Sequence, residues 1–506
     1  MTDAHSAGAA IACGHEVTAD AARQMLEAGG NAFDAIVAAI CAACVAEPVL
    51  CSLAGGGYLL ARRLGGEPWI YDFFVDTPLE RRASDEIELH PVHADFGGAT
   101  QEFHVGLGAV AAPGVVAGLF AIHRDLCRLP LEQLAAPAIR AARQGVVLND
   151  LQAYTFRVVA PICLATPGAR AVYGIGNGRL PVEGDCLRQP DLANTLERLV
   201  QEGPRVMYRG EFAQQIVALC AGGGGQLTMA DLERYTVQRR PALAVDYRNA
   251  RVLTNPPPSR GGILIAFALK MLDGLAVEER ESWLAALAQT MYLTNQARAE
   301  CDGSLLDPTL LARYRAQLRL RPGCNRGTTH ISVVDGAGNV AAASLSNGEG
   351  CGHVLPGTGL MLNNMLGEED LNPGGFQKWP PGTRMASMMA PTLLEREGTV
   401  TVLGTGGSNR IRSAILQVLA NLIDFHMTPE EAVVAPRIHV EGDLLSLEGG
   451  FDVPEQRALE TSGLRIHRWQ DRNLFFGGVH VVQRQDGFVT AAGDPRRGGV
   501  GVVVAQ

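Results

Sequence analysis

The sequence predicts a mixed α/β protein, and three observations carry that expectation. An Ala-rich helical pair occupies residues 17–47, glycine-punctuated strand pairs alternate with it, and residues from about 320 onward switch to strand periodicity interrupted by one helix. In the helical pair, Thr18 is the expected N-cap, Gly29 and Gly30 stop the first helix, and Asn31 with Asp34 three residues later starts the second. Residues 53–60 and 69–75 read as two strands of a hairpin. Helices are expected after Pro113-Gly114, across 131–145, across 263–272 behind the stiff loop Asn255-Pro256-Pro257-Pro258-Ser259-Arg260-Gly261-Gly262, and across 411–425. No internal repeat or low-complexity linker divides the chain.

With 506 residues, 47% apolar and 19% charged, the chain can bury a large core. Its net charge of −10 disfavours nucleic acid and anionic lipid as partners, since both demand clustered Lys and Arg. The longest apolar run, residues 35–46, is closed by Glu47 and falls short of a bilayer span, so a buried helix is expected there. The start shows no basic segment followed by a long apolar one, and eleven cysteines lack a regular framework. Both features point to a cytoplasmic protein.

The segment Gly327-Thr328-Thr329-His330-Ile331-Ser332-Val333-Val334-Asp335 alternates as a strand, and Gly336-Ala337-Gly338-Asn339 turns it into Val340 to Ser346. Pairing Asp335 with Val340 puts Thr328 opposite Asn347 and beside Ser346. A one-residue bulge brings in Ser344 as the second candidate. A threonine hydroxyl is a weak nucleophile in mid-chain. At a chain terminus its own α-amine, with a reference pKa of about 7.7–8.0, can take the proton. Cleavage before Thr328 would create that base, and Gly327 suits the cut because its carbonyl is unhindered. Taken alone, Thr-Thr-His at a strand start is ordinary β-structure, and His330 by itself reads as a packed histidine.

The stretch TTHISVVDGAGNVAAASLS resembles the nucleophile segment of gamma-glutamyltransferases. It is accompanied, in that family's order, by EAGGNAFDAIVAA, LAGGGYLLAR, AAPGVVAGLFAIH, NPPPSRGGI, MLNNML, GTGGSNRIRSAILQVLANLIDF, APRIHV and GDPRRGG. The resemblance implies a four-layer αββα fold, two antiparallel sheets between helices, made as one precursor and cut into chains 1–327 and 328–506 that stay together as a single domain. It also implies Thr328 as the new N-terminal nucleophile and the N–H groups of Gly407 and Ser408 as an oxyanion hole. Independently, Gly404-Thr405-Gly406-Gly407-Ser408-Asn409-Arg410 precedes a helix and can converge its N–H groups on an anion. That run lacks the Lys and the spacing of a phosphate-binding loop.

Departures from the family concern the substrate. Phe74 stands where glutamyl-transferring members carry a carboxylate-binding Arg, Ser387-Met388 replaces a serine pair, and the family's aspartate falls near Gly367-Glu368. Asn347 and Asn364 complete the substrate-side candidates, and Arg384 is the candidate cation from elsewhere. These substitutions point to an acylase or amidohydrolase branch acting on a small amide, either a γ-glutamyl compound or another acyl amide, without a cofactor. Homo-oligomerisation is left open.

The remaining candidates are weak. His90-Pro91-Val92-His93-Ala94-Asp95 has metal-like composition in an expected loop and is assigned no metal. Cys41 and Cys44 read as buried small residues, and Arg496-Arg497 as ion-pair partners within the fold. The alternatives to an amidase are a non-catalytic binding protein on the same fold that never matures, and a nucleotide-dependent enzyme using the glycine loop.

Overall fold

The computed structural model describes residues 5–6, 8–95, 100–275, 280–300, 305–315, 328–372 and 374–505. Gly327 lies outside the described residues, so the structure gives no geometry for that side of the expected cut. Two seven-stranded antiparallel sheets face each other. The first runs, edge to edge, Val500–Val504, Ala9–Cys13, Thr329–Val334, Val340–Ser346, Gly56–Arg62, Trp69–Phe73 and Gln238–Pro241. The second runs His5–Ser6, Phe488–Ala492, Gly478–Gln485, Thr399–Gly406, Thr392–Arg396, Ala250–Thr254 and Leu243–Tyr247.

Helices Glu16–Glu27 and Ala32–Ala46 cover the outer face of the first sheet, and Arg260–Leu272, Arg410–Ile423 and Pro429–Val434 cover that of the second. This is the four-layer αββα arrangement. Side-chain alternation explains it: Ile331, Val333, Ala341 and Ala343 face the helices, while Val334, Val340 and Ala342 face the opposite sheet.

Helix Ala32–Ala46 is buried at every residue, which its run of Ala and Cys permits by allowing close approach on all sides. Its start is the expected reciprocal cap. Asn31 Oδ1 accepts from the N–H groups of Phe33 and Asp34, and Asp34 Oδ2 accepts from Asn31 N at 2.7 Å. The preceding helix begins differently from the expectation. His15 is its N-cap, Nδ1 accepting from Val17 N, while the Thr18 hydroxyl donates to Glu47 Oε1 across the helix pair.

Two further expectations are corrected. Residues His90–Asp95 form a strand paired with Thr100–Val105 rather than a loop, because Pro91 sits at a strand edge where its missing N–H costs nothing. The nucleophile hairpin pairs Val334 with Val340, one residue short of the expected register. Asp335 continues that register, its N–H donating to the Asn339 carbonyl at 3.1 Å, so the turn shortens to residues 336–338 with Gly338 at φ 83. Its carboxylate accepts from Asn339 N, Asn339 Nδ2 and Ala32 N at 2.7–2.9 Å, tying the hairpin to a helix N-terminus.

Candidate active site

The observed register, carried one pair beyond Thr329 and Leu345, sets Thr328 opposite Ser346 instead of Asn347. Ser346 in turn pairs with Gly56, and the bare Cα of Gly56 lets the Phe74 ring lie beside it. Thr328, Ser346, Gly56 and Phe74 therefore form one row across four neighbouring strand positions at the same end of the first sheet.

The second sheet closes over that row. Strand Thr399–Gly406 ends against it so tightly that a Cβ on Gly406 would fall 1.3 Å from the Thr328 carbonyl oxygen, and one on Gly404 would fall 2.2 Å from the His330 ring. These two positions need glycine for close approach. The chain then turns at Gly407 (φ 123) and Ser408 (φ 45) into helix Arg410–Ile423, whose N-terminus thereby faces the start of the Thr328 strand. Arg497 Nη1 donates to the Thr328 carbonyl at 2.9 Å, and its Nη2 lies 3.6 Å from the Cβ position of Gly407.

Both flanks of the nucleophile segment are locked. On the helix side, the Thr329 hydroxyl donates to Glu47 Oε2 at 2.7 Å, and burial raises the Glu47 carboxyl against the opposing pull of His15, Thr329 and Thr18. On the inner side, His330 Nδ1 bonds Ser344 Oγ at 2.8 Å and Nε2 bonds Ser332 Oγ at 3.0 Å. Burial and neighbouring His480 push His330 well below its ordinary value, so it is a neutral structural imidazole with both nitrogens occupied. Ser344 is thus committed to His330. Ser346 Oγ accepts from Gly348 N at 3.0 Å and shares the Thr328 side of the strand.

The glycine turn is held from behind by groups that the sequence reading did not single out. Asp370 accepts from Ser408 Oγ at 3.0 Å and from Asn409 Nδ2 at 2.9 Å, and Arg298 donates to Asn409 Oδ1 and to the Asp370 carbonyl. Their only signal was adjacency to the glycine run in one case and none in the others. Arg497 was visible as part of GDPRR but read as an ion-pair residue. That role belongs to Arg496, which bonds Glu448 and Asp494, whereas Arg497 reaches the Thr328 and Leu474 carbonyls.

Among the substrate-side candidates, Asn347, Asn364 and Glu368 gather round Gly348, whose Cβ position lies 2.0 Å from Asn364 Oδ1 and 2.9 Å from Glu368 Oε1. Asn364 also accepts from Glu349 N. Phe74 is fully buried and stacks on Tyr58 with ring centroids 5.7 Å apart. Arg384 is not available to a ligand. It donates to Asp76, to the Asp72 carboxylate and carbonyl and to the Thr236 carbonyl, all within 2.6–2.9 Å, and stacks on Tyr235. Ser387 accepts from Met389 N, and its carbonyl takes the Ser259 hydroxyl and the N–H of Arg260, fastening the loop before helix Arg260–Leu272 to the Ser387-Met388 segment. No group of His, Cys, Asp and Glu suited to a metal ion occurs among the described residues.

The sequence profile of the family described as gamma-glutamyltranspeptidase matches residues 18–504. The chain is 31% identical over 540 aligned residues to a glutathione hydrolase proenzyme of Pseudomonas aeruginosa, covering 98% of this chain and 95% of that one. It is 30% identical over 529 residues to the acylase ACY 1 proenzyme of Pseudomonas sp. (strain V22), covering 98% and 93%. Its fold superposes on the cephalosporin acylase from Bacillus halodurans with a TM-score of 0.86 at 24% identity, over 99% of this chain and 97% of that one.

Proposed function

The chain belongs to the gamma-glutamyltranspeptidase family and is a hydrolase or transferase of the N-terminal-nucleophile type, and on that premise we propose that it cuts itself before Thr328 and then cleaves a small amide through an acyl-enzyme on the Thr328 hydroxyl. The observation that carries this reading is the contact between the Thr328 backbone and the Gly406-Gly407-Ser408 turn at a helix N-terminus.

In the maturation step, Thr328 Oγ attacks the Gly327 carbonyl carbon, the peptide C–N bond breaks as the ester C–O bond forms, and the nitrogen keeps the proton released by the hydroxyl. Water then hydrolyses the ester and leaves a free α-amine on Thr328. In turnover, that amine takes the hydroxyl proton as Oγ attacks the substrate carbonyl, then gives it to the departing amine. Gly407 and Ser408 N–H groups receive the oxyanion, and water or an acceptor amine removes the acyl group.

The acyl group follows from the departures around Phe74. A buried ring in place of a guanidinium removes a charge-assisted contact of about 1.5–3 kcal/mol to an α-carboxylate. Since Arg384 is spent on Asp72 and Asp76, no described cation in that row replaces it. We therefore favour an acyl amide over a γ-glutamyl compound. Mass spectrometry of the purified protein tests the core of the reading: the expected fragments are roughly 35 and 19 kDa, judged from chain lengths, the smaller beginning at Thr328. An active but uncut protein, or an active Thr328→Ala variant, would refute it. Efficient transfer from γ-glutamyl-p-nitroanilide would refute the acyl preference alone.

A further inference from the structure

A cavity of about 420 Å³, large enough for a small organic ligand, is linked to the glycine turn through Arg298, which lines it and bonds Asn409. Its walls come from segments far apart in sequence: the loop and first turn of helix Arg260–Leu272, Arg298, and the stretch from Leu371 to Ala386. Thr77 and Arg384 place it at the Phe74 end of the first sheet, and Arg298, which bonds Asn409 and the Asp370 carbonyl, places it one residue layer behind Ser408.

The charge on these walls is one-sided. In a chain with net charge −10, the described lining contains four cations, Arg260, Arg298, Lys378 and Arg384, and no carboxylate. Arg384 is neutralised by Asp72 and Asp76. Arg298 is half-buried, its hydrogen-bond acceptors are two uncharged oxygens, and it makes no direct ion pair among the described residues, the nearby Glu441 acting on it only at longer range. Lys378 is exposed at the rim and likewise makes no ion pair there. The buried indole N–H of Trp379, on the same wall, has no acceptor. Ile263, Leu264, Leu305 and Met385 supply the apolar remainder. A half-buried cation beside apolar walls and an idle donor is the arrangement that gains most from an incoming anion, because both partners lose little further hydration.

We infer that this cavity seats a carboxylate-bearing arm of the amide substrate, held by Arg298 and Lys378, in place of the guanidinium that Phe74 displaces. The inference rests on the amidase reading for the word substrate, while the anion site stands on geometry alone. Binding at Arg298 also presses on Asn409, so an anionic arm would help fix the turn that receives the oxyanion.

The test is glutarate binding to the full-length Thr328→Ala protein by isothermal titration calorimetry, which needs no turnover. Glutarate is expected to bind with an affinity that falls as salt rises. It should bind on the order of tenfold or more weakly to Arg298→Gln and Lys378→Gln, with recovery in Arg298→Lys and Lys378→Arg. Uncharged pentanediamide should bind far more weakly. Equal binding of glutarate and pentanediamide, or glutarate binding indifferent to both charge removals, overturns the inference. In the wild type, glutaryl anilide and 4-(butyrylamino)benzoate place the carboxylate on the acyl and amine arms respectively, and whichever is cleaved faster than butyryl anilide identifies the arm. A protein that binds glutarate as expected but never cleaves itself refutes the amidase reading and leaves the anion site standing.

Discussion

The hairpin Thr329–Ser346 packs directly on the strand that ends in the glycine turn, the wall from Leu371 to Ala386 is linked to that turn through Arg298, and the two are built in opposite ways. Every hairpin strand residue is buried, and its polar side chains find partners inside the fold: Thr329 on Glu47, His330 on Ser332 and Ser344, Asp335 on the turn. The wall mixes buried Trp379 and Met385 with exposed Lys378 and leaves the Trp379 indole N–H without an acceptor and the Lys378 ammonium without an ion pair among the described residues. The difference separates two jobs. The chemical step needs atoms held by backbone and short side chains that cannot rearrange, whereas recognition is left to long side chains whose partners arrive with the ligand.

If that division holds, disturbing the hairpin side should cost most. Gly406→Ala drives a methyl group into the Thr328 carbonyl, and overpacking of backbone against backbone should cost about 3 kcal/mol or more and prevent self-cleavage, visible as uncut protein with a lowered melting temperature. Phe74→Arg would put a guanidinium where the described carboxylates Asp72 and Asp76 are already taken. An unpaired buried charge costs about 3–5 kcal/mol, so the variant should melt earlier and gain no γ-glutamyl transfer, whereas a stable variant that transfers glutamate would show the pocket to be more plastic than its packing implies.

Arg497→Met sharpens the comparison by separating stability from chemistry. The buried guanidinium is pulled down by desolvation against the pull of Glu349, Asp494 and Glu47, and it hydrogen-bonds only to carbonyls, so an apolar side chain of similar length should lower the melting temperature only modestly. Loss of its bond to Thr328 should slow self-cleavage by about ten- to a hundredfold in a time course. Slowing accompanied by a large fall in melting temperature would make Arg497 a packing residue instead.

The smallest effect concerns Glu441, which lies behind the glycine turn and is raised to about 7 by burial, against the opposing pull of Arg412 and Arg298. A carboxyl raised in the fold binds its proton more tightly there than when unfolded. Its contribution is therefore complete below the unfolded value near 4.5 and is lost as pH rises through about 7. Relative to Glu441→Gln, the wild type should lose melting temperature by about 2 °C or less between pH 4.5 and 8. A gap that widens in the opposite direction would mean that Arg412 dominates and the carboxyl is ionised throughout.

Local patterns made much of this protein legible. The Asn31–Asp34 cap, the glycine-bounded hairpin of residues 56–73, the helix after the glycine run and the strand bearing Thr329 all rest on interactions within a few residues, which spacing displays directly. The register of the nucleophile hairpin was not legible, because the shorter turn that sets it is fixed by the Asp335 carboxylate, which is shared between Asn339 and Ala32, some three hundred residues away in sequence. Nor were Arg298 and Asp370 behind Ser408, since neither type nor spacing marks a side chain whose partner comes from another part of the chain.

The sequence by itself determined the elements, their alternation, and Thr328 as the residue around which the chemistry is proposed, because periodicity, caps and motif order are properties of neighbouring residues. Only the tertiary structure decided that Arg384 is spent on Asp72 and Asp76, that Arg497 rather than a histidine meets Thr328, and that one cavity gathers four cations and no carboxylate in its described lining. Those outcomes depend on which distant charges burial forces together, and burial in a two-sheet sandwich is set by the whole chain at once.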